Sequence, residues 1–180
     1  MSRILFPIVG AAALLLGCAD YRYQAHTPVS ALATDHEAGR VAVRSSGFGS
    51  LPAGGGRALH VVLSVSNDSV QPWQLDPARQ RIVLPDGSER APVAAIAGGV
   101  ALEGPLAVPP GRTRSVDLYY APPPGEAQAK RLPEYAARWQ VDTGAGAERG
   151  ETTFRRVNVA GPTLPCGVHA TAYCLAGYGP

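Results

Sequence analysis

The chain of 180 residues carries 16 Lys and Arg against 14 Asp and Glu, for a net charge of +2, and its basic residues are mostly arginines spread along the sequence. That even balance, with no block of like charge, lacks the electrostatic footprint of a nucleic-acid binder. Its 21 glycines and 17 prolines fall mainly between apolar stretches and near both ends, where they read as turns and linkers, and long amphipathic helices are hard to find.

At the N-terminus, Arg3 precedes an apolar run over residues 4–16, interrupted only by Pro7 and Gly10. A charged n-region followed by an apolar h-region is the layout of a secretory signal. The run is also well short of the roughly 20 residues that a bilayer-spanning helix needs. It closes on Leu15-Leu16-Gly17-Cys18, which resembles the lipobox of bacterial lipoproteins. The resemblance implies a diacylglyceryl thioether on Cys18, cleavage after Gly17 and palmitate-type acylation of the new amino terminus. The bland alternative is an incidental cysteine beside a conventional cleavage site. Two or three acyl chains hold a protein stably where one does not, so the membrane is an expected partner, reached through lipid. Ala19 follows the cysteine and Asp20 comes one residue later, an order that in lipoproteins of this kind favours the outer over the inner membrane.

Residues 18–39 show no sustained periodicity and are read as a lipidated N-terminus and tether, with His26 and His36 among their polar residues. A flexible stretch of that length would hold a domain on the order of 25 Å from the lipid; the alternative is that its aromatic residues, Tyr21 and Tyr23, dock on the domain or at the lipid interface. Residues 40–160 are read as one domain. Val41 and Val43 alternate with small or charged neighbours, and the glycine-rich segment 49–56 is a loop. Leu59, Val61, Leu63 and Val65 then share one side of a period-two pattern, with His60, Ser64 and Ser66 on the other, until Asn67-Asp68-Ser69 ends the strand. Further strands are expected at residues 81–84, before the Pro85-Asp86-Gly87 turn, and more weakly at 93–96. Residues 112–120 follow Pro109-Pro110-Gly111, and Tyr135, Ala137, Trp139 and Val141 mark another strand. The last runs over 152–159, and the one stretch with helical character is 126–131. About seven strands with no helical crossovers predict an antiparallel sandwich.

These features resemble the immunoglobulin-like, telokin-type domains of bacterial envelope lipoproteins. The residues that carry the likeness are Leu63-Ser64-Val65-Ser66-Asn67, Pro72-Trp73-Gln74-Leu75-Asp76, the Asp86-Gly87 turn, Leu118-Tyr119-Tyr120 and the strand around Trp139. The resemblance implies an all-β, immunoglobulin-like sandwich and an envelope location, and carries no catalytic residue across. No cysteine lies between Cys18 and Cys166, so apolar packing must join the sheets, with Trp73 and Trp139 as the expected central bulk.

Residues 161–180 form a tail in which Cys166 and Cys174, left over once Cys18 is assigned to lipid, are an expected disulfide in an oxidising compartment. His169 between them gives Cys-x2-His-x4-Cys, a possible metal cluster with three of the four ligands of a closed zinc site. Elsewhere no nucleophile stands in a recognisable setting and no phosphate-binding glycine loop occurs. His60 reads as a surface residue, and Asp76, Asp86, Glu89 and Asp117 as ordinary turn or strand-face acids. A calcium site near Asp68 or Asp86 has no ligand spacing behind it. The expectation is a non-catalytic binding or scaffolding module without a cofactor, whose partner is another envelope protein. The alternative is a small-ligand or metal-handling protein that uses Cys166, His169 and Cys174.

Overall fold

The computed structural model describes residues 21–34, 37–52, 54, 56–123, 125 and 132–158. Cys18, His36, the stretch 126–131 and the tail with Cys166, His169 and Cys174 lie outside them. The described residues form two antiparallel sheets.

The first sheet is built from β2 (Val29–Thr34), β3 (Glu37–Ser50), β4 (Arg57–Asn67), β8 (Pro92–Ala97), β9 (Val100–Ala101) and β11 (Arg112–Tyr120), in the order β2-β3-β4-β11-β8-β9. The second contains β1 (Tyr21–Ala25), β5 (Trp73–Leu75), β6 (Arg81–Val83), β7 (Glu89–Arg90), β10 (Leu106–Val108), β12 (Glu134–Asp142) and β13 (Ala147–Asn158). Its path runs β1-β13-β12-β5-β10, with β6 bridging β12 and β7. The order β3-β4-β11-β8 is that of strands A, B, E and D in an immunoglobulin-type sandwich. The order β13-β12 followed by β5 and β6 is that of G, F and C.

Thirteen strands are present among the described residues, against about seven expected. The seven frame positions account for the long ones. The additions β7, β9 and β10 are two or three residues long, too short to carry a period, and strand C is split into β5 and β6 by the 3-10 turn Pro77–Arg79. The segment expected to be a tether instead contains β1 and β2 and the start of β3. Tyr21, Tyr23 and Ala25 do alternate, but β1 is only 5 residues long, too short for the period to stand out.

The inner face of the first sheet follows from the β4 alternation. Leu59, Val61 and Leu63 pair across β11 with Tyr120, Leu118 and Val116, while Val43 and Val41 flank Leu63 and Val65 from β3. All of these side chains are buried. The second sheet answers with Tyr135, Ala137, Trp139 and Val141 of β12, Phe154 of β13, and Trp73, Leu75, Ile82 and Val108. Both tryptophans are core residues, as expected. Each large apolar side chain so buried contributes about 1.5–3 kcal/mol relative to exposure. Two glycines make room for the indoles: a Cβ at Gly39 would overlap the Trp73 ring, and one at Gly150 the Trp139 ring.

Candidate functional site

Three places on the sandwich hold polar or exposed groups in defined geometry. The first is the outer face of the first sheet, where the residues of β4 and β11 that alternate with the core point away from it. Ser64 pairs with Ser115 at 2.7 Å and Ser66 with Thr113 at 2.8 Å, hydroxyl to hydroxyl. The row continues in His60, whose Nε2 lies 2.8 Å from Asp117 Oδ1 and whose ring stacks on Tyr119 at 4.6 Å between centroids, with the ring planes nearly parallel. His60 therefore sits on the polar side of its strand, as read from the sequence, but is half-buried and held by two neighbours. Burial, helped by the Asp117 carboxylate, raises the Tyr119 phenol above its usual pKa. The arrangement makes a flat, hydroxyl-lined platform with one oriented imidazole.

The second place is the cleft between the 3-10 turn and β8. Asp76 caps that turn by accepting a hydrogen bond from the Ala78 N–H at 2.9 Å, which sets Pro77 and Ala78 along one wall. Pro92, Val93 and Ala94 form the opposite wall, with Leu102 and Glu103 beyond them. Val93 is 57% exposed because it is the extra residue of a bulge: Tyr119 pairs with Ala94 and Tyr120 with Pro92, leaving Val93 without a partner in β11. The cleft is open and measures about 200 Å³. Sites that enclose a small ligand run to about 300–1,000 Å³, so this cleft suits a single inserted side chain better.

The third place is the end of the sandwich where β1 begins. Tyr23 donates to the Leu132 carbonyl at 2.9 Å and meets Tyr135 edge-on at 5.2 Å, and Tyr135 in turn stacks on Phe154. Arg156 lies 3.7 Å over the Tyr21 ring. The same end carries the bulge at Gly47, whose φ of 75° favours glycine and leaves its backbone open to the Tyr23 ring. Burial raises the Tyr23 phenol above its usual pKa, with Arg156 acting in the opposite sense.

Of the other residues singled out from sequence, His26 follows β1 and donates its backbone N–H to Thr153 at 2.9 Å. Asp86 accepts from both the N–H and the hydroxyl of Ser88, which holds its carboxyl below the usual range and closes the turn. Glu89 and Glu151 pair with Arg138 on an exposed strand face. Among the described residues no three His, Cys, Asp or Glu side chains converge as a metal would require. Asn67 does more than end β4. Fully buried, it donates to the carbonyls of Gln71 at 2.7 Å and Val108 at 2.8 Å and accepts from the N–H and hydroxyl of Ser69. Neither the cleft nor the bulge was visible in the sequence, since both arise from the pairing of strands remote from one another.

No protein-family model matches the chain, and no curated protein matches it in sequence. Solved structures that resemble it distantly include the following two. One is a Northeast Structural Genomics Consortium target, 12% identical with a TM-score of 0.33, over 74% of this chain and 92% of that one. The other is a protein from Archaeoglobus fulgidus, 11% identical with a TM-score of 0.28, over 75% of this chain and 97% of that one.

Proposed function

We propose that the chain is an exported lipoprotein, anchored through Cys18 to the outer membrane and stabilised in its tail by a Cys166–Cys174 disulfide. Its sandwich serves as a non-catalytic binding module for another envelope protein. The observation that carries the binding reading is the cleft beside β8. Pro77, Val93 and Leu102 line it together with the acidic Asp76 and Glu103. An apolar side chain flanked by a basic residue on the partner's surface fits that combination.

An added strand fits less well, because Pro92 and the Val93 bulge blunt this edge for backbone pairing. The test places a photoreactive residue at Val93 and, as a control, at Ser115 in the full chain, followed by irradiation of intact envelopes. The expected result is one discrete protein adduct from position 93 that is missing from 115 and is lost in a Glu103→Lys background. Equal labelling at both positions would set the cleft aside. Anchoring is read separately, from the acyl mass on the N-terminal peptide and its loss in Cys18→Ser.

A further inference from the structure

β1 starts at Tyr21, so only Ala19 and Asp20 separate the sandwich from Cys18. Three Cα-to-Cα steps reach at most about 11 Å, whatever conformation they take. Nor can β1 serve as slack. Tyr23 is fixed by its bond to the Leu132 carbonyl and its contact with Tyr135, the His26 N–H is bonded to Thr153, and Arg156 covers Tyr21.

The parts of the chain that meet at this end can be read from the strand register. Tyr23 lies over Gly47, three residues before β3 finishes at Ser50, and Ser50 pairs with Arg57 at the start of β4. On the other sheet, Arg155 faces Glu134 at the start of β12, and the Arg156 N–H bonds the Pro133 carbonyl at 2.8 Å. Arg22, Arg57 and Arg155 are exposed at this end, which also carries the half-exposed Tyr21. Glu134 offsets part of that charge. Exposed tyrosine among arginines matches the chemistry of a lipid headgroup layer, where the ring is amphipathic and each guanidinium can grip a phosphate through two N–H donors. The reach from Cys18 is also close to the screening length of about 8–10 Å in physiological salt, so these charges would act on headgroups directly.

We infer that the end bearing Tyr21, Arg22, Arg57 and Arg155 is seated on an anionic phospholipid surface, making the sandwich a platform held at the membrane instead of a module on a long leash. The inference rests on the proposed acylation of Cys18. It places the Thr143–Gly146 turn outermost, since β12 runs from Glu134 at the membrane end to Asp142 beside that turn.

The test uses the full, acylated chain reconstituted in vesicles of phosphatidylethanolamine with a quarter phosphatidylglycerol. A photoreactive residue is placed at Glu134, which faces Arg155, or at Ala145, and lipid adducts are counted by mass. The expected yield at 134 exceeds that at 145 by about fivefold or more, and falls when phosphatidylcholine replaces phosphatidylglycerol. Equal yields from an acylated chain overturn the seating while leaving the anchor reading intact. A chain isolated from its native envelope without acyl mass on Cys18 overturns the anchor reading, and the seating with it. Retention of the unfolding midpoint in both labelled variants shows that a low yield at 134 reports position and not misfolding.

Discussion

Asn67 uses its side-chain amide in full: two donated and two accepted hydrogen bonds, all but the one to the exposed Gln71 within the interior. One of these reaches from β4 in the first sheet to Val108 of β10 in the second, so the residue is a polar rivet between sheets. Because each buried bond contributes about 1 kcal/mol net and orphaned partners add desolvation cost, Asn67→Ala should lower stability by about 2–4 kcal/mol, read from the urea midpoint. A change below half a kcal/mol would mean that water replaces the side chain at no cost. Gly150 poses the opposite problem, since the Trp139 ring occupies the space of its missing Cβ. Gly150→Ala should cost about 1–3 kcal/mol by overpacking. In a Trp139→Phe background the same change should cost less, because the smaller ring withdraws from the site; strict additivity would show that the penalty comes from the strand backbone.

Among the elements, the split of strand C is repaired by one side chain. β5 pairs with β12 at Asp142 and β6 pairs with it at residues 136–138, so the ladder has a gap at Gln140. Gln80 fills it, with Oε1 accepting from the Gln140 N–H at 3.0 Å and Nε2 donating to the Gln140 carbonyl at 2.9 Å. An amide group thus stands in for a backbone rung. Gln80→Ala should speed hydrogen exchange at the Gln140 amide by at least tenfold while amides deeper in β4 keep their protection; unchanged exchange at 140 would show that neighbouring backbone closes the gap. Nothing in the sequence marks Gln80, whereas β4, β11 and β12 could be read from alternation over eight or nine residues, within two residues of their ends. The difference is physical. A long strand with one buried face must repeat its apolar residues every second position, but a side chain that patches a remote strand leaves no local pattern. The candidate site follows the same division: His60 on the polar face was legible, its Asp117 and Tyr119 partners were not, and the β8 cleft depends wholly on which strands become neighbours. β1 is the intermediate case, a real alternation of Tyr21, Tyr23 and Ala25 that runs for only 5 residues and so gives a weak period.

For the whole molecule, no cysteine lies between Cys18 and Cys166, so the two sheets are joined by packing, and two phenols take part in it. Tyr120 projects from the first sheet and Tyr135 from the second, and both are almost wholly buried. Burial pushes each phenol well above the usual value of about 10, with Arg81 partly offsetting the effect at Tyr120. In the folded state these groups keep protons that an unfolded chain releases once the pH passes about 10, so above that point the unfolded state binds fewer protons and stability falls as pH rises. Below about pH 9 both states are protonated and the two tyrosines make stability independent of pH. The loss should approach about 1.4 kcal/mol per pH unit for each tyrosine, or about 2.7 for the pair, before any other group titrates. Tyr23 and Tyr119 shift in the same direction but are partly exposed, so solvent screening leaves them a smaller share. Urea midpoints measured from pH 8 to pH 11 check this. The wild-type curve should be level and then descend, Tyr120→Phe should remove about half of the descent, and Tyr120→Phe with Tyr135→Phe most of it. A double variant that loses stability as steeply as the wild type would show that alkaline unfolding starts from the exposed groups and not from the phenols between the sheets.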